Sequence, residues 1–196
     1  MKLFRQKHTS KTDEELMRAI QSGETRAFEI IYDRYSERLL NYFFRMLGKK
    51  DIAHDMLQEL FLKIINKPHL FDADKRFVTW IYAVASNMCK NEYRRRDIHA
   101  IESPLSASEM QLDSSTAIKK PDEAFEQKSF SEAVFIKLGT LDEEKQNTFI
   151  LRFQHQLSIK EISEVLNCPQ GTVKSRLFYT IRFLAEELHE YNPNER

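Results

Sequence analysis

The sequence predicts an all-α protein made of two small helical domains joined by a flexible linker. Three observations carry that prediction. Glycine is scarce, at 4 of 196 residues. Apolar residues recur three and four apart along most of the chain, the period of an amphipathic helix. The exception is residues 98–121 (IHAIESPLSASEMQLDSSTAIKKP), where serines and prolines replace any sustained apolar stripe and the chain reads as a linker. A chain of 196 residues has room for one ordinary domain or two small ones, and this interruption favours two.

The first domain is expected over residues 12–97, after a tail of residues 1–11. Thr12-Asp13-Glu14-Glu15 forms a capping box ahead of Leu16, Ala19 and Ile20, and Gly23 can end that short helix. A longer helix carries Phe28, Ile31, Tyr35, Leu39, Tyr42 and Met46 on one side and stops at Gly48. Asp51 is the expected N-cap of a third helix, with Ile52, Met56, Leu60 and Ile64 toward the core and Pro68 closing it. A fourth runs from about Phe77 to Arg96, with Ile81, Val84, Ala85 and Met88 inward. Four helices with short connections make a bundle.

The second domain is expected over residues 122–190, before a tail of residues 191–196. Pro121 suits the first turn of a helix that carries Phe125, Phe130, Val134 and Leu138 and ends at Gly139. Another helix spans Asp142 to about Phe153. Ser158-Ile159-Lys160-Glu161 is a second capping box, opening a short helix to Leu166. After the tight turn Asn167–Gly171, a last helix reaches about His189 on the ladder Val173, Leu177, Ile181, Leu184 and Leu188.

Lys plus Arg balance Asp plus Glu at 30 each, so only the distribution of charge is informative. A short capped helix, a tight turn and a longer helix is the order of a helix-turn-helix. Thr172, Lys174, Ser175 and Arg176 lie away from the Val173/Leu177 line, Arg182 follows, and no acidic residue occurs from Cys168 to Ala185. Such a helix start suits phosphates and base edges, so DNA binding is preferred to a merely solvated basic face.

The fourth helix mixes aromatics, amides and cations: Thr79, Trp80, Ser86, Asn87, Lys90 and Arg94. Single-stranded nucleic acid is held by that mixture. A core Trp80 and a favourable positive helix end at Arg94–Arg96 explain the same residues equally well. On the third helix Asp55, Gln58, Glu59 and Leu62 share one face, which suits either a protein partner or plain solvation.

These segments resemble a known family. Residues 55–64 (DMLQELFLKI), 77–87 (FVTWIYAVASN) and Arg94-Arg95-Arg96 are similar to the second conserved region of sigma-70 factors. Residues 157–177 (LSIKEISEVLNCPQGTVKSRL) are similar to their fourth region. Two domains and a linker alone is the layout of the extracytoplasmic-function (ECF) group. The resemblance implies that Asp55, Gln58, Glu59 and Leu62 dock on the coiled coil of the largest subunit of RNA polymerase core. It implies that Lys63, Phe71 and Asn87 surround the −10 element, where the loop from about Asn66 to Arg76 captures a flipped base. Thr79, Trp80, Lys90 and Arg94 then belong to the strand-opening surface. Lys174, Ser175, Arg176 and Phe178 then lie on the −35 element, and the charge pattern adds Thr172 and Arg182 to the same expected surface. An anti-sigma factor is an implied partner besides core and promoter DNA. The chain departs from the family at Gln156, where Gly is common, at Ser163, where Ala is common, and at Tyr179, where a base-contacting Arg is common.

Two other readings compete. A conventional helix-turn-helix regulator would bind a palindromic operator without polymerase, but needs neither the fourth-helix mixture nor the Asp55 face. An enzyme needs a catalytic constellation, and the sequence has no Gly-rich phosphate loop, nucleophile elbow or paired Cys/His at metal spacing. The six histidines are dispersed, His54 beside Asp55 being the nearest approach to a ligand pair, so no metal or cofactor is expected. Cys89 and Cys168 are too far apart in sequence to suggest a disulfide framework. With no apolar signal segment and no membrane-spanning window, a soluble cytoplasmic protein is predicted.

Overall fold

The computed structural model describes residues 11–102 and 123–191. All but Lys11 and Tyr191 of the predicted tails, Pro121 and most of the predicted linker lie outside them. The chain divides into two compact units, the helices up to Glu102 in one and most of the later chain in the other.

In the first unit, α1 (Asp13–Gln21), α2 (Thr25–Leu47), α3 (Lys50–Asn66) and α4 (Phe77–Glu102) form a bundle. The Thr12 capping box is present: Glu15 N–H donates to Thr12 Oγ1 at 3.2 Å, and Thr12 N–H donates to Glu15 Oε2 at 2.7 Å. Gly23 and Gly48 end α1 and α2 with φ of +89° and +74°, a backbone that favours glycine. α3 starts one residue earlier than predicted. Lys49 is its cap, without a side-chain bond, and Asp51 sits in the first turn, where a carboxylate still favours the helix dipole.

The buried face of α3 is Ala53, Leu57, Leu60, Phe61 and Ile64, rotated from the predicted line so that Ile52 and Met56 are only half-buried. α4 buries a wider arc than one ladder: Phe77, Ile81, Tyr82, Ala85, Met88, Cys89 and Glu92. It also runs to Glu102, past the predicted stop near Arg96, because neither Gly nor Pro interrupts residues 97–102. Its later turns close the end of α2. Tyr93 Oη donates to the Met46 carbonyl, and Arg96 Nη1 donates to the Leu47 carbonyl at 3.0 Å. Buried Glu92 holds Arg95 at 2.9 Å and Arg96 at 3.1 Å, satisfying its charge.

The second unit contains α5 (Glu123–Leu138), α6 (Glu143–Phe149), a π-helical turn (Ile150–Gln154), α7 (Ile159–Leu166) and α8 (Gln170–Glu187). Asp142 caps α6, accepting from Lys145 N–H at 2.8 Å. The predicted helix to Phe153 is therefore two segments. The π turn closes with His155 N–H on the Ile150 carbonyl, and Gln156 follows at φ +59°. That left-handed residue stands where the family commonly has Gly. Ser158 and Glu161 form the second capping box, at 2.8 and 3.2 Å. The turn into α8 is held by Cys168 N–H on the Ser163 carbonyl and by Ser163 Oγ donating to the Cys168 carbonyl at 2.6 Å. Ser163, where Ala is common, thus earns a structural role.

The α8 ladder differs from the predicted one by one residue. Val173, Leu177, Thr180, Leu184 and Leu188 are buried, while Ile181 is 45% exposed. A step of three from Leu177 keeps position 180 on the core side, and an apolar alphabet overlooks threonine. Thr180 is wholly buried and its hydroxyl has no hydrogen-bond partner.

Thr180→Val should therefore raise the stability of this unit by about 1 kcal/mol, because it removes a buried unsatisfied hydroxyl at similar volume; a thermal melt in which the midpoint fails to rise rejects this. Partial burial pushes the Glu14 and Asp142 carboxyls up, yet hydrogen bonds outweigh it. The Phe77 N–H and Thr12 at Glu14, and Lys145 at Asp142, leave both below their ordinary values. Depressed carboxyls contribute stability that is whole above the unfolded value of about 4 and is lost as pH falls through the lower folded value. Melting midpoints should fall in that acid window, and less steeply in Glu14→Gln and Asp142→Asn.

Candidate polymerase and promoter interfaces

α3 presents Asp55, Gln58, Glu59 and Leu62 together on an exposed face, as the spacing predicts. Asp55, Gln58 and Leu62 border a shallow groove between α2 and α3 that Tyr32, His54, Leu57, Phe61 and Ile65 complete. Tyr32, Leu62 and Ile65 are 42%, 52% and 48% exposed, a considerable apolar area for one place on a small domain. The Tyr32 ring lies 4.7 Å from that of Phe61, which Phe28 meets edge-on at 5.9 Å. Tyr32 and Ile65 escaped the sequence reading. Ile65, three residues after Leu62, was legible as an extension of the face; Tyr32 sits on another helix and was not. Glu59 pairs with Lys63 at 2.8 Å, joining residues predicted to serve different partners.

On α4, Trp80, Asn87 and Arg94 recur every seven residues with Lys90 beside them, so one face presents them. Asn87 and Arg94 are exposed; Trp80 and Lys90 are half-buried. Two predicted contacts are corrected here. Phe71 is 2% exposed, its ring 5.4 Å from Phe77 and 5.3 Å from Trp80, so it is the floor of the loop before α4 and not its surface. Thr79 is also buried, inside the wide arc of α4, and its hydroxyl finds no partner. The aromatic–polar mixture is thus half core: the pattern was right in composition and undecided in orientation. Of the three arginines, Arg95 and Arg96 are engaged by Glu92, and Arg94 stays exposed.

On α8, Lys174, Ser175, Phe178 and Arg182 are exposed, and Thr172 is half-buried. Ser175 Oγ donates to the Thr172 carbonyl at 3.0 Å. Arg176 is more enclosed than predicted: its guanidinium pairs with Glu144 of α6 and reaches the Cys168 sulfur at 3.6 Å. Glu144 lies 32 residues away, so helical spacing gave no hint of it. Arg182 pairs with Glu186 at 2.9 Å. Phe178 and Tyr179, 61% and 59% exposed, meet edge-on at 5.4 Å and put a large aromatic surface on the outer face. In the sequence Tyr179 stands out only as a departure; its exposure adds it to the candidate face.

A four-helix unit with an exposed aromatic–amide–cation helix, followed by a helix-turn-helix with an acid-free outer face, defines a promoter-reading protein. Family models agree: Sigma-70 region 2 matches residues 31–98, and Sigma-70, region 4 matches residues 137–183. The ECF RNA polymerase sigma-E factor of Escherichia coli K12 is 30% identical over 85% of this chain and 89% of its own length. The RNA polymerase sigma-H factor of Pseudomonas aeruginosa is 29% identical over 87% and 90%. Two solved structures share the fold. The sigma factor RpoE of Bartonella quintana, in complex with the anti-sigma factor NepR, has a TM-score of 0.69 at 19% identity, covering 83% of this chain and 96% of that one. CnrH, in complex with the cytosolic domain of CnrY, has a TM-score of 0.65 at 22% identity, covering 92% and 99%.

The chain belongs to the ECF group of the sigma-70 family. It is an RNA polymerase sigma factor, a transcription initiation factor that takes polymerase core to promoters, and the conventional-regulator alternative is not favoured. No helix among the described residues is long and apolar enough to cross a membrane.

Phe71→Ala should cost about 3–5 kcal/mol of stability in the first unit, as a buried aromatic does, whereas Phe178→Ala should stay within about 0.5 kcal/mol. Chemical denaturation of the two variants checks the division; equal losses contradict it.

Proposed function

We propose that promoter reading is split between two domains, residues 12–102 and 122–190, joined by a linker over 103–121. In the first, the α3 face Asp55, Gln58, Glu59 and Leu62, widened by Tyr32 and Ile65, docks on the coiled coil of the largest polymerase subunit. An apolar patch ringed by polar and acidic groups supports this, since protein interfaces bury such a centre inside a polar rim. Trp80, Asn87, Lys90 and Arg94 meet the unpaired −10 strand beside the 66–76 loop. Lys63 is assigned to the same strand, and the buried Phe71 ring packs against Trp80. In the second domain Lys174, Ser175, Phe178 and Tyr179 read the −35 duplex, and Thr172 and Arg182 serve its phosphates. Arg176 holds α8 against α6.

The observation that carries the reading is the outward face of α4, where an aromatic, an amide and two cations align beside an aromatic-floored loop. Stacking surface, base-edge hydrogen bonding and phosphate neutralisation come together there, as a melted strand requires. Each domain alone binds weakly, and core fixes their spacing so that one contact raises the effective concentration of the other. The chain contributes binding and no bond chemistry, and it works in the cytoplasm with polymerase. An anti-sigma protein covering the Tyr32/Leu62/Ile65 groove is the proposed regulator, by analogy with the complexed relatives.

Gln58→Ala with Glu59→Ala should reduce co-purification with core polymerase while leaving the fold intact; undiminished recovery of core removes the docking assignment. Lys174→Ala should weaken −35-dependent transcription by holoenzyme and lower the salt slope of binding by about one, with core association unchanged. Run-off transcription and binding titrations across salt read both. Tight, specific protection of both promoter elements by the free chain would refute the shared-spacing mechanism.

A further inference from the structure

One face of α1 has no part in the interfaces above, yet it meets the loop between α3 and α4. Glu14, Arg18 and Gln21 fall at i, i+4 and i+7, so a single helical face presents all three. Glu14 Oε1 accepts from Phe77 N–H at 2.9 Å, closing the start of α4. Arg18 Nη2 donates to the Ala73 carbonyl at 2.8 Å and lies 3.4 Å from Asp74 Oδ1. Gln21 Nε2 donates to two carbonyls, Pro68 at 3.0 Å and Phe71 at 2.8 Å. Within the loop, Asp72 makes its own turn, accepting from Asp74 N–H at 3.1 Å and, through its carbonyl, from Lys75 N–H at 2.9 Å.

The loop is thus pinned at three carbonyls from outside and anchored from below by the buried Phe71 ring, while Leu70, Asp72, Asp74, Lys75 and Arg76 remain exposed. This matters for a surface that receives an unstacked base. Ordering a mobile loop at the moment of capture subtracts from the contacts it makes, and a loop already held in shape avoids that loss.

We propose that α1 is a positioning element for strand capture, with Arg18 and Gln21 holding the 67–76 loop in its base-receiving shape through the loop's own backbone. The inference rests on the reading of that loop as the strand-capturing element. Neither residue touches DNA; both act through the loop.

The test uses holoenzyme assembled from core polymerase and the full chain, on promoter fragments that holoenzyme selects from a random library. The −10 region is pre-melted, and the non-template strand carries an abasic site at each position in turn. Wild type should lose open-complex yield by about tenfold at one position, the worth of one captured base. Arg18→Ala with Gln21→Ala should lose less than about twofold there. Gln21→Glu, which keeps size but replaces the donor with an acceptor, should match the double variant. Met17→Ala, which empties core from the same helix and leaves the loop bonds alone, should keep the wild-type ratio below its melting point. A double variant with the wild-type ratio, or a Met17→Ala that loses it, overturns the proposal. A wild-type chain indifferent to every abasic site overturns the loop reading and the inference with it. Amide exchange of the free chain separates the two. Residues 67–76 should exchange faster in the double variant, and unchanged exchange there overturns the positioning role whatever the loop binds.

Discussion

The start of α4 imposes the constraint on which the first domain depends. Phe77 is wholly buried, and as a first-turn residue its N–H has no partner within its own helix. A buried donor left alone there costs about 1–3 kcal/mol. Glu14 supplies the acceptor from α1, and Tyr35 and Phe71 supply the packing, at ring distances of 5.2 and 5.4 Å. Asp13, the neighbour of Glu14, takes the Tyr35 hydroxyl and Arg34, so consecutive carboxylates tie α1 to α4 and to α2. Burial first, and then Asp13, push the Tyr35 hydroxyl well above its ordinary range, so it remains a donor. Once Phe77 is seated, the direction of α4 is set, and with it the face that carries Asn87 and Arg94.

The second domain solves a related problem differently. Its outer helix needs positive charge without neighbouring acid, and α8 has none before Glu186. Acidic partners come instead from α6, where Glu144 holds Arg176, and from the far end of α8, where Glu186 holds Arg182. The outer face thereby offers more aromatic surface than its count of cations suggests. Phe178 and Tyr179 form an exposed aromatic pair there, while Lys174 remains as an outward cation.

What could be read from the chain divides by distance along it. Both capping boxes close over three residues and both are present. The α2 and α8 ladders are largely legible because a helix repeats locally, while Ile52 and Met56 on α3 and Phe130 on α5 fall off the buried line. Errors arose where one residue type has two uses. Threonine counts as polar, so the apolar pattern puts Ile181 on the ladder in place of Thr180. Asp51 suits a cap and a first turn equally. Phe71 and Trp80 suit a base stack and a core, and only their packing with each other and with Phe77 decides that Phe71 belongs to the core. The split of the predicted helix at Phe149 was unreadable in the same way, because a π turn leaves no local composition mark. Glu144 to Arg176 and Gln21 to Phe71 were out of reach altogether. They join residues 32 and 50 apart, and no helical period predicts such a meeting.

The energetic character of the ion pairs on α8 sets how available each arginine is. Arg182 and Glu186 are both mostly exposed, and such a pair contributes at most about 1 kcal/mol. That weak pair leaves the Arg182 guanidinium readily available. Arg176 differs, because its side chain is 18% exposed and its second nitrogen lies against Cys168 in the turn. Drawing it outward would break the pair and uncover the junction of α6 with α8. Two arginines six residues apart on one helix, equal in sequence terms, are therefore unequal in availability. The surrounding acids decide which one is available.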